Sequence, residues 1–208
     1  MKKSILYLLL ILTFAACKSK NNQEAETSDS TVVDAPDHTL VDTTFKIENI
    51  ALSDKELGTF PYLTPPAKYS YNYHQEADAK DIKASDKEYF AVNGKLIVQE
   101  GKTFKTHIEY DRSNGNKFNS DDVLKSYKDQ ILSLGGVQVN DGEIKQAEYD
   151  RAGKTELIDK QYGFTLDPNL LDRIKTFVIR TKDKVVWVQL CLLNEESGRI
   201  TVLEKIVD

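Results

Sequence analysis

The chain has 208 residues, 40% of them hydrophobic and 29% charged, with a formal net charge of −5. That apolar content excludes a wholly disordered chain, 10 Gly with 5 Pro exclude a fibrous one, and a pI near 5.4 argues against nucleic-acid binding. Two cysteines and three histidines are too few for a disulfide framework or a metal cluster, so no cofactor or metal is expected, and the length suits one domain.

Lys2 and Lys3 precede an apolar run, Ile5 to Phe14, that ends in Ala15, Ala16 and Cys17. A positive start, an apolar stretch of about 7–15 residues and small residues at its end describe a cleaved export signal. A spanning helix would need about 20 apolar residues. Residues 1–16 are therefore expected to be a signal peptide. Ala15-Ala16-Cys17 resembles a bacterial lipobox, which implies that Cys17 is acylated (palmitate among the chains) and becomes the mature first residue. The alternative is an ordinary signal with an incidental cysteine. One acyl chain anchors only marginally and two or more anchor stably, so the expected membrane contact is a lipid anchor at Cys17. Lys18 is not the aspartate associated with inner-membrane retention, which points to the outer membrane, with the periplasmic face favoured over the cell surface.

Residues 17–44 read as a flexible acidic tether. Six acids (Glu24, Glu26, Asp29, Asp34, Asp37, Asp42) oppose two lysines, Lys18 and Lys20, and such a segment buries too little surface to offset its ordering entropy. Val32, Val33, Leu40 and Val41 leave a short docked strand as the alternative. From 45 to 208 the pattern becomes that of a single α+β domain. Leu57 to Leu63, before Pro65-Pro66, reads as extended. Phe90, Val92, Asn93-Gly94, Leu96 and Val98 predict a hairpin with a type I′ turn. Phe104, Thr106, Ile108 and Tyr110 continue the strand, with Gly101 expected at a bulge or second turn.

One helix is predicted over about 121–134. Asn119 or Ser120 caps it, Asp121 and Asp122 suit its dipole, Val123, Tyr127 and Ile131 form its apolar stripe, and Gly135-Gly136 ends it. A strand should begin at Val137 and Val139. Between 146 and 172 only helix-like pieces at Leu157-Ile158 and Leu170-Leu171 stand out. The end reads as a β-meander: Phe177 to Arg180, a turn at Lys182 to Lys184, Val185 to Leu193, a turn at Glu195 to Gly198, then Ile200 to Ile206. Val185 to Leu193 is nearly all apolar, which predicts a central strand covered on both faces, with Trp187 in the core. The expected class is α+β, with a mostly antiparallel sheet.

Candidate chemistry is sparse. No Gly-rich phosphate loop, Gly-x-Ser-x-Gly elbow or Cys-x-x-Cys is present, and His38, His74 and His107 are scattered. His107 alternates with Ile108 and should face solvent or a second layer. Cys191 reads as a small buried hydrophobe. Tyr69, Tyr71 and Tyr73, with His74 next, could form an aromatic binding face; they could equally pack the sheet.

Several stretches resemble the N-terminal domain that precedes the peptidoglycan-binding module in outer-membrane protein A family lipoproteins. They are Gly58-Thr59-Phe60-Pro61-Tyr62, Val92-Asn93-Gly94-Lys95-Leu96, Val98-Gln99-Glu100-Gly101-Lys102-Thr103-Phe104, Leu134-Gly135-Gly136-Val137 with Tyr127 and Ile131, and the closing run Phe177-Val178-Ile179-Arg180, Val186-Trp187-Val188, Val202-Leu203-Glu204-Lys205. The resemblance covers about three quarters of the chain and brings no catalytic residue with it. The sequence ends at Asp208, where the wall-binding module of those proteins would follow, so binding to peptidoglycan is not expected. The function expected is therefore a non-enzymatic envelope lipoprotein whose domain binds a protein partner. The alternative is a domain that holds a small ligand or hydrolyses an envelope polymer.

Overall fold

The computed structural model describes residues 45–110, 112, 117–193 and 196–207; the expected signal 1–16, the tether 17–44 with Cys17, and Glu195 lie outside the described residues. Seven strands appear in chain order: β1 (Tyr69–Tyr71), β2 (Ile82–Val92), β3 (Lys95–Tyr110), β4 (Val137–Asn140), β5 (Ile174–Arg180), β6 (Lys184–Leu193) and β7 (Ser197–Ile206). Helix α1 (Ser120–Ser133) separates β3 from β4, and α2 (Gln146–Ala152) lies between β4 and β5. These strands pair antiparallel throughout, in the order β1-β3-β7-β6-β5-β4, with β2 also on β3, and an isolated parallel bridge joins Leu52 to Arg180. The fold is the α+β class expected, mostly sheet, with a closing meander.

Local chemistry places the elements. Asn93 and Gly94 both take positive φ (48° and 76°), as a type I′ turn requires, and fold β2 back on β3. The Asn119 side chain accepts from the backbone N–H of Asp121 and Asp122, which resolves the choice of cap for α1. Gly135 takes φ 78° after the helix, and Gly136 N–H donates back to Ile131 O. Val123, Tyr127 and Ile131 are fully buried on one stripe.

Strand β6 is the middle of a three-layer arrangement. Its even side chains, Val186, Val188, Leu190 and Leu192, share a core with the α1 stripe. Its odd side chains face the other way: Val185 and Trp187 pack with Phe90 and Val92 of the hairpin, and Cys191 packs with Tyr89, Tyr149 and Leu157. The double cover predicted for Val185 to Leu193 is thus supplied by α1 on one face and by the β2–β3 hairpin with α2 on the other. Gln189 fastens the second layer. Its Oε1 accepts from Ala91 N–H at 2.7 Å and from the Thr176 hydroxyl at 2.9 Å, and its Nε2 donates to Tyr89 O at 3.0 Å and to Thr165 Oγ1 at 2.7 Å. A fully satisfied buried amide fixes layer position, since any slip would strand its polar atoms.

Four expectations need correction. Gly101 makes neither a turn nor a bulge in its own strand: β3 runs straight through it, and the irregularity lies opposite, between Lys83 and Asp86 of β2. The segment from Leu57 is not extended throughout, because Gly58 and Tyr62 take φ of 81° and 72° and Tyr62 N–H closes a turn on Thr59 O. Leu157-Ile158 lies in a π-helical turn, Thr155–Asp159, but Leu170-Leu171 is not helical: Asp167 O accepts from Leu170 N–H and its Oδ1 from Asn169 N–H, a turn around Pro168. Strand β7 starts at Ser197, so Ser197 and Gly198 belong to the strand and not to the expected turn.

Candidate binding groove

Of the aromatic run, Tyr69 and Tyr71 join one core, while Tyr69 and Tyr73 line a hollow of about 380 Å³ with Ser70, Gln75 and Tyr110. Tyr69 and Tyr71 lie in β1 and are buried, Tyr69 edge-on to Phe118 and Tyr71 edge-on to Phe104, with the Tyr71 hydroxyl donating to Leu63 O. The strand ends there. Asn72 and Tyr73 both take positive φ, and Tyr71 and His74 exchange two backbone hydrogen bonds, so Tyr73 sits at a hairpin tip, 71% exposed. His74 is exposed beside Asp78, its Nε2 3.9 Å from the carboxylate. His107 faces the second layer, edge-on to Phe164, where burial and then Arg199 lower its pKa. Cys191 is buried, which pushes its thiol up to about 12. Among the described residues no group of three His, Cys, Asp or Glu could hold a metal ion.

A cluster of charges lies under the hairpin. Glu88, fully buried on β2, accepts from Phe164 N–H at 2.9 Å, and Lys105 Nζ of β3 stands 2.6 Å from its other oxygen and 3.0 Å from Asp86. The Glu88–Lys105 contact is close but lacks hydrogen-bond alignment. Burial pushes the Glu88 carboxyl up to about 8, against the opposing pull of Lys105. Lys105 also donates to Lys87 O and Gln161 O, so its three protons are engaged and the cluster reads as a structural clasp.

The feature that faces outward is a groove. Strands β3 and β7 pair from Lys102–Glu204 to Ile108–Gly198. At Gly101 they still pass so close that a Cβ would overlap the Glu204 carbonyl, and no pairing follows toward Leu96. The wedge between them, of about 680 Å³, has Val185 and Trp187 of β6 as its floor and Ile97 and Gln99 of β3 as one wall. Lys205, Ile206 and Val207 form a second wall, and the segment Phe45 to Glu48 a third. Phe45 meets Trp187 edge-on at 5.7 Å. Ile206 is 61% and Val207 45% exposed at the rim. The sequence reading placed Trp187 in the core, which holds at 2% exposure, but did not find the groove above it.

The edge of β3 beside this groove carries backbone groups that face away from β2 and meet no strand among the described residues. Leu96 turns its N–H and C=O away from β2, toward Glu148 Oε1 and Arg151 of α2. The alternation of an antiparallel ladder therefore turns Val98 and Glu100 outward as well. Their β2 partners agree: Tyr89 N–H goes out to Tyr162 O, and Lys87 O accepts from Lys105. On β7, Val207 N–H turns toward β6, to Asp183 O, so Ile206 turns to the open side.

Compared with protein-family models and with curated protein sequences, the chain matches none.

Proposed function

We propose that this chain is a lipid-anchored envelope protein that acts by binding a protein partner, not by catalysis, with the groove over Trp187 as its contact surface. The observation that carries the reading is the pairing of exposed apolar side chains, Ile206 and Val207, with open strand edges along one groove. Soluble monomers usually cover both, because each invites association. The Ala15-Ala16-Cys17 pattern, resembling a lipobox, supports an anchor at Cys17 and residence at the outer membrane, periplasmic side. No helix among the described residues is long and apolar enough to cross a membrane, and a lipid anchor requires none. The resemblance to the N-terminal domain of outer-membrane protein A family lipoproteins belongs to the same reading.

Net charge supports a protein partner over the anionic wall. Loss of Lys2 and Lys3 with the leader leaves about −7, which repels an anionic polymer. Sedimentation with purified sacculi, alongside a hydrolysis assay on the same material, tests this. The expected result is no co-sedimentation at moderate salt and no release of wall fragments; either activity would contradict the proposal.

A further inference from the structure

Resting on the reading above, we propose that the groove takes an extended segment of the partner protein by strand addition to the outer edge of β3. Three observations converge. First, the Val98 and Glu100 backbone groups point into the gap left by β7, with Leu96 already capped by α2 and Lys102 already paired to Glu204. Second, the floor beside that edge is apolar, so a strand laid there could drop every second side chain onto Trp187 and Val185 while its backbone pairs with β3.

Third, the comparable edge of β2 is closed. Tyr89 N–H goes to Tyr162 O, Ala91 N–H to Gln189 and Asn93 N–H to Val139 O. Among the described residues, one side of the hairpin is thus covered and the other side is open next to an apolar floor. An extended backbone satisfies amide groups and apolar walls together. Lys46 and Lys205 outnumber Glu48 on the rim, so the fitting segment carries apolar residues at alternate positions and an acid beside them.

The test uses the full mature chain and a displayed library of random dodecapeptides. Enriched peptides should alternate apolar residues and should change the fluorescence of Trp187, the one tryptophan in the chain. N-methylation of the peptide's alternate amides, which spares its side chains, should weaken binding at least about tenfold if backbone pairing holds it. Val98→Pro should do the same, since its outward N–H is not used in pairing with β2 and an edge position tolerates proline. Binding that survives both changes yet is lost in Ile206→Ser would overturn strand addition and leave a groove-binding protein. Failure to enrich any peptide that perturbs Trp187 would overturn the inference outright. Tighter peptide binding after Val32, Val33, Leu40 and Val41 are all changed to serine would make the chain's own segment the occupant. A dimer that the peptide dissociates would make it a second copy. Either outcome would overturn the assignment to a partner.

Discussion

Trp187 and Glu88 show how single side chains hold the second layer. Trp187 is nearly enclosed by Phe45, Phe90 and the hairpin, so Trp187→Ala should cost about 3–5 kcal/mol, measured by urea unfolding followed by circular dichroism. An unchanged midpoint would place the indole outside the core. Glu88 makes the opposite kind of contribution. Its carboxyl binds its proton more tightly folded, at about 8, than unfolded, near 4.5. In that window the native state holds more protons than the unfolded state, so stability falls as pH rises from about 5 to 8. Lys105 keeps Asp86 as its partner when Glu88 is neutral, which is why protonation does not orphan the ammonium. The melting temperature should therefore drop between pH 5 and pH 8, and Glu88→Gln, which keeps the acceptor for Phe164 N–H, should flatten that slope. A slope of equal size in the variant would assign the effect to other groups.

At the scale of elements, the features legible in the sequence are those whose cause is local. Asn93-Gly94 announces its turn because both residues tolerate positive φ, and Asn119 with Gly135-Gly136 brackets α1 by cap chemistry alone. The alternation of β6 shows its double burial. Helix α2 escaped notice because its seven residues are too short for a periodic stripe and its N-cap, Lys145, makes no side-chain bond. The end of β1 is not visible in the sequence, because alternation continues through Tyr69, Tyr71 and Tyr73 while the strand stops at a turn that tyrosine seldom favours. Gly101 was read as a local device, but its reason is the passage of the Glu204 backbone. Gly101→Ala should accordingly destabilise the protein by about 1–3 kcal/mol in a denaturant titration, as overpacking against an unyielding neighbour does. Gly142→Ala, with open space around its Cβ and no positive φ, is the control and should change stability by less than about 0.5 kcal/mol. Equal tolerance at both sites would contradict the close approach of β3 and β7 at Gly101.

At the largest scale, the described residues form a sheet with α1 on one face and a hairpin with α2 on the other, and the hairpin layer ends in a groove where β3 leaves β7. The fold class was legible; the groove was not. Phe45, Ile97, Trp187 and Ile206 lie in four separate segments, and nothing in the spacing of any one of them announces the others. The proposed location rests on the sequence pattern ending at the lipobox-like Cys17, whereas the proposed contact surface is a product of topology. Both meet in one measurement: a photo-activated cross-linking residue placed at Ile206 of the lipidated chain in intact envelopes, with the same residue at Leu132 as the exposed comparison on α1. Position 206 should give a discrete cross-linked protein species, weakened in a Val98→Pro background, and position 132 none. No adduct at 206, or the same adducts from both positions, would contradict the groove as the surface through which this protein acts.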